Sequence, residues 1–139
     1  MNGKTADLFV LLRHTVQLAA EAGRCDLVLQ AIDVQAEHYA VEIWPTRIEA
    51  LGRALKAPLP AKSREAVVEQ CLDVVDEAIT AEEYEAAEEL AKLTLAACRK
   101  IRALELTRQI AERAGELRTV RKAYEAGAEA ADVLAKDPN

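Results

Sequence analysis

The groups in this 139-residue chain whose types could do chemistry are two histidines, three cysteines and a scatter of carboxylates. A di-iron carboxylate bundle requires two Glu-x-x-His pairs facing inward. Leu11 stands three residues before His14 and Gln35 three before His38, so that chemistry is excluded. His14 and His38 would meet across one helical hairpin as a lone metal pair, but no third ligand stands at a suitable spacing. Cys25, Asp33 and His38 hold the atoms of a nucleophile, an orienting carboxylate and a base, yet they fall on one helix at offsets that do not converge. Cys25, Cys71 and Cys98 show no CxxC spacing and read as small buried hydrophobes. An oxidising compartment would allow one disulfide and one free thiol. No glycine-rich loop is present to cradle a phosphate. The chain therefore reads as a non-enzymatic protein without a cofactor.

Eighteen Lys and Arg against 24 Asp and Glu leave a net charge of -6, which argues against nucleic acid and anionic membranes as partners. The longest apolar run, Leu8 to Leu12, is closed by Arg13 and His14 and is too short for a membrane span or a secretory signal. The compartment is not specified. Charge is unevenly placed: Lys62 to Ala91 holds two basic and ten acidic residues, Cys98 to Lys122 eight basic and three acidic. On one reading, acidic helices lie against a basic one, with complementary fringes flanking an aliphatic seam. On the other, Arg108, Arg113, Arg118, Arg121 and Lys122 form a stripe presented to an acidic protein partner. No aromatic interleaves the stripe, which disfavours nucleic acid. The only tryptophan stands in Ile43-Trp44-Pro45, near Arg47. Trp and Arg are enriched at interface hot spots, so Trp44 and Arg47 are candidate partner anchors; alternatively Trp44 caps the core between the second and third helices.

The elements that must position these residues are helices. No proline interrupts the chain between Pro60 and Pro138, the only glycines there are Gly115 and Gly127, and Ala, Leu, Glu, Arg and Lys dominate. Apolar residues at Leu8, Leu11, Leu12, Val16, Ala19 and Ala20 predict a first helix over Asp7 to Ala22, stopped by Gly23. A second follows over Cys25 to Tyr39, with Val28, Ile32, Gln35, Ala36 and Tyr39 on one face. A third opens at Pro45 and runs to Lys56, before Pro58 and Pro60 force a linker. Ser63 is the expected N-cap of a fourth helix ending at Ile79. Thr80 and Glu83 read as a capping box opening a fifth. Its acidic start and basic end place its stop near Arg102, although no Gly or Pro enforces that stop and a continuous helix is the alternative. The sixth, Leu104 to Leu134, is the longest, with Gly127 a place for it to fray or bend.

A shift of 58 residues lays Gly23 on Ala81, Val16 on Val74, Ala20 on Ala78, Ile32 on Leu90 and Ile48 on Leu106. It suggests a three-helix unit used twice, residues 1–57 and 63–137 joined by a linker at 58–62, in one domain. The stretches Ala19-Ala20-x-x-Gly23-x-x-x-x-Val28-x-x-x-Ile32 and Ala78-x-x-x-x-x-Tyr84-Glu85-Ala86-Ala87-x-x-Leu90 resemble tetratricopeptide-type hairpins. The Trp-Leu-Gly signature, the closing proline and the 34-residue period of that family are absent. The chain also resembles uncharacterised helical segments of large bacterial multidomain proteins, through Tyr84-Glu85-Ala86-Ala87, Ala96-Ala97-Cys98-Arg99-Lys100 and the closing Lys136-Asp137-Pro138. The likeness implies a non-catalytic module of a longer protein and brings no functional residues.

The expectation is thus an all-α array of about six antiparallel helices, two tetratricopeptide-like units and a long C-terminal helix. In function it is a scaffold or protein-interaction module with an unidentified protein partner. The alternatives are a self-associating structural protein, and a small-molecule sensor with a pocket between helices.

Overall fold

The structure, a computed structural model, describes residues 2–136 and the side chains of residues 7–127. The described residues are all-α, in six helices: α1 (Asn2–Glu21), α2 (Cys25–His38), α3 (Ile43–Lys56), α4 (Ala61–Thr80), α5 (Tyr84–Ile101) and α6 (Leu104–Lys136). Each helix packs on the one that follows it, α1 also on α3, α3 also on α5, and α4 also on α6. This next and next-but-one order is that of a layered helical array, in which each layer buries the face its neighbour leaves open. α3 touches α1, α2, α4 and α5 and so sits at the centre of the stack.

The interior is aliphatic and finely grained. Val28, Ile32, Leu51, Val67, Val68, Val75, Leu90 and Ile110 are fully buried, with Ala20, Ala54, Ala87 and Ala91 filling between them. A smaller cluster of Ala78, Ala87 and Leu117 joins the ends of α4, α5 and α6, and Trp44 packs against both clusters. Beyond Leu117, residues 122–127 of α6 are all exposed, so the helix runs past the body. Gly127 does not interrupt it. The side chains of Ala128, Ala131 and Leu134, and the turn at Asp137-Pro138, lie outside the described residues.

Three helix ends use one device. After α1, the N–H of Arg24 donates to the carbonyl of Ala19 and that of Gly23 to Ala20, a Schellman motif with Gly23 at φ +71°. After α4 the same pair of bonds runs from Glu83 to Ala78 and from Glu82 to Ile79, with Glu82 at φ +60°. After α5 it runs from Ala103 to Cys98 and from Arg102 to Arg99, with Arg102 at φ +54°. The α5–α6 boundary is therefore real, and the continuous helix is not formed.

These turns correct three expectations. Thr80 does not open a capping box: it is the last residue of α4, its hydroxyl donates to the Asp76 carbonyl, and no side chain caps α5 at Glu83. Ser63 is not an N-cap, because α4 already begins at Ala61 behind Pro60. The shift that aligns the two turns is 59 rather than 58, since Glu82, not Ala81, takes the left-handed position that Gly23 holds. In the corrected register Val16 falls on Val75, Ala19 on Ala78, Val28 on Ala87 and Gln35 on Thr94, and all eight are buried.

A left-handed residue is strained unless it is glycine. At Gly23 an added Cβ would also stand 2.6 Å from Leu59 Cδ1 and 3.3 Å from Val67 Cγ2. Gly23→Ala is expected to lower stability by about 1–3 kcal/mol. Arg102→Gly, which relieves the same strain at an exposed turn, is expected to raise it by about 0.5–1 kcal/mol. Urea denaturation monitored by circular dichroism reads both; a destabilised Arg102→Gly would contradict the strain assignment.

Candidate functional site

Arg47 is turned inward. It leaves α3 with its side chain only 8% exposed, donating from Nη2 to Asp33 Oδ1 of α2 at 2.9 Å and from Nη1 to Glu77 Oε1 of α4 at 3.1 Å. Its guanidinium carbon lies 5.0 Å from the Trp44 ring centroid, within cation–π range. The Nε–H has no partner. The expected Trp44–Arg47 corner is thus formed, but Arg47 clamps α2, α3 and α4 together instead of facing a partner. Trp44 is half-buried beside it.

The basic stripe divides. Arg113 donates from Nε to Asp76 Oδ1 of α4 at 2.8 Å and from Nη2 to Oδ2 at 3.1 Å. Arg121 bonds Glu88 of α5 and reaches Glu125 Oε1 at 3.2 Å. Arg108 is held within α6 by Glu105 at 2.6 Å and Glu112 at 2.9 Å. Only Arg118 and Lys122 form no ion pair with a described residue. Complementary fringes across α4, α5 and α6 are what the structure contains, and they leave no continuous cationic stripe.

The other candidates stay apart. His14 and His38 are both exposed, Cys25 is buried at the head of α2, and Asp33 is engaged by Arg47. Among the described residues, no three His, Cys, Asp or Glu gather as metal ligands. The three thiols are free and buried. Burial is the main cause that pushes the Cys25 thiol from its ordinary 9.0 up to about 11, and it raises Cys71 and Cys98 as well. At the exposed first turn of α2, a hydrogen bond from Arg24 holds the Asp26 carboxyl below its usual range.

Two concave regions were not singled out by sequence. One, of about 220 Å³, lies between α1 and α3, over Val16 and Ala50, with Phe9 and Val41 as walls and Gln35 of α2 among its lining. The other, a shallow groove of about 360 Å³, runs between α5 and α6 over Ala91, Leu95, Ile110, Ala114 and Leu117. At the far side of the stack α1 exposes Leu8, Val10, Leu11 and Leu18, the last two 62% and 66% open. The sequence signal for the first was the lone amide in the apolar face of α2; for the second there was none, because α6 looks equally apolar wherever it is covered.

Compared with known proteins, the chain matches no family model, no curated protein and no solved structure.

Two measurements bear on this geometry. Arg47→Met lets Asp33 and Glu77, each about half exposed, return to water, and is expected to cost about 1–2 kcal/mol. Asp33→Ala with Glu77→Ala strands a buried guanidinium and is expected to cost about 3–5 kcal/mol; the reverse order would mean the clamp is peripheral. The thiols should resist alkylation at pH 8 until the chain unfolds. A thiol whose folded pKa is raised stabilises the fold fully below its unfolded value. That contribution is lost as pH rises, so stability should fall between about pH 9 and 11. Thiol titration and urea midpoints across that range read the two effects.

Proposed function

We propose that the chain is a non-enzymatic helical module that engages other proteins through the apolar surfaces at the two ends of its stack. The observation that carries this is the exposure of Leu11 and Leu18 on α1, together with the open apolar groove between α5 and α6. In a layered helical array the inner elements cover one another, and the end elements need polar outer faces to remain solvated. Both ends here are apolar, and contiguous exposed apolar surface marks interaction sites. Arg118 stands at the rim of the α5–α6 groove without an ion pair to a described residue, so an acidic protein segment suits that edge. Under this proposal the chain is a tetratricopeptide-like segment of a longer protein.

A photo-crosslinking residue placed at Leu18 or Leu95 is expected to give a discrete protein adduct in cells, lost when the neighbouring Leu11 or Arg118 is changed to Glu. Solvent quenching at both positions, with no discrete adduct, would overturn the proposal.

The α1 stripe favours a second reading, self-association. Sedimentation velocity across a concentration range separates the two: an assembly dissolved by Leu11→Glu supports self-association, and a strict monomer rejects it.

A further inference from the structure

The cavity between α1 and α3 is lined by a polar side chain that no described residue pairs. Gln35 is 4% exposed, yet its side-chain amide has no hydrogen-bond partner among the described residues. Unlike Arg47 Nε and Arg64 Nε, which are cut off from solvent, its amide atoms keep a little access, and an apolar residue of similar size would need none. Thr94, which occupies the equivalent place in the second hairpin, solves the problem locally by donating to the Leu90 carbonyl. Gln35 has no such local solution. The small access its amide retains opens into this cavity, the one among those described that Gln35 lines.

The surroundings define what would fit. Phe9, Val16, Val41 and Ala50 supply apolar walls. Phe9 is held edge-on by Tyr39, with ring centroids 5.0 Å apart. Arg13 stands at the rim and forms no ion pair with a described residue. The other charged lining residues, Arg53 and Glu49, neutralise each other at 3.1 Å. The lining is therefore net cationic, in a chain whose net charge is -6. Its volume of about 220 Å³ exceeds the roughly 150 Å³ of a cavity that holds benzene and falls short of the roughly 300 Å³ at which drug-sized sites begin.

We propose that this cavity is a binding site for a small carboxylic acid with an apolar body, the ring or chain lying against Phe9, Val16 and Ala50. Its carboxylate accepts hydrogen bonds from the Gln35 amide and pairs with Arg13. The site lies apart from the two apolar ends assigned to protein partners, so either proposal can fail without the other.

Benzoate and hexanoate, titrated into the intact chain and followed by amide chemical shifts, are expected to saturate at a Kd of ~0.1–1 mM, with shifts centred on Phe9, Val16, Gln35 and Ala50. Gln35→Leu should fold at least as stably and bind benzoate about tenfold more weakly. Arg13→Gln, at an exposed position, should weaken benzoate while leaving the neutral analogue benzyl alcohol unchanged; this pair decides the matter should Gln35→Leu fail to fold. N-acetylphenylalanine binding more tightly than phenylpropionate would place the natural carboxylate at a peptide chain end, and the reverse order would make it a free acid; both uphold the site. Absence of saturation by either acid at ~10 mM, or a benzoate Kd unmoved by both substitutions, would overturn it.

Discussion

A guanidinium with almost no route to water sets the relation between the two halves of this stack. Arg47 leaves the central helix and is met by Asp33 from the helix before it and Glu77 from the helix after it, with Trp44 across its face. A charge withdrawn from water is tolerable only where opposite charge and hydrogen bonds replace the lost hydration. Both carboxylates remain half exposed, so the pair of anions keeps part of its own hydration while the cation gives up nearly all of its own. Displacement of α2 or α4 relative to α3 would uncover that cation's cost. The clamp therefore acts on register: the aliphatic seam between valines and alanines is permissive, and the ion pairs select one arrangement of it.

The turns show how firmly packing dictates the backbone. Three helices end in the same left-handed motif, yet only Gly23 carries the residue that adopts it without strain. Glu82 and Arg102 take it because α4 and α5, and then α5 and α6, must each lay their apolar stripes on one core. A helix continued through Arg102 would carry Leu106 and Ile110 away from the cluster of Leu90 and Cys98, and Leu117 away from Ala78 and Ala87. Burial of those side chains outweighs a local cost of about 1–2 kcal/mol. Gly23 is bound twice over, by its dihedral angle and by Leu59 and Val67 above it.

Charge in the second half of the chain is used mostly between its own helices. Arg113 and Arg121 tie α6 to α4 and α5, so the acidic stretch and the basic stretch that stand out in the sequence are two sides of one internal seam. What remains for other molecules is what this seam leaves over: apolar surface on α1, the open face between α5 and α6, the cations Arg118 and Lys122, and the amide of Gln35 at the α1–α3 cavity.

Helix content, the number of helices and their approximate ends were legible from composition and periodicity, because alanine, leucine and glutamate favour helix locally and prolines stop it locally. That Cys25, Asp33 and His38 share one helix was equally legible, since spacing along a helix decides which groups share a face. Which way Arg47 turns, where α4 truly ends, why α5 stops at a residue with no glycine, and that Gln35 faces a cavity without a partner were decided only by the tertiary structure. Each depends on residues distant in sequence, such as Glu77 for Arg47 and the α1–α3 gap for Gln35. A pattern of local preference holds no information about how two surfaces far apart along the chain meet.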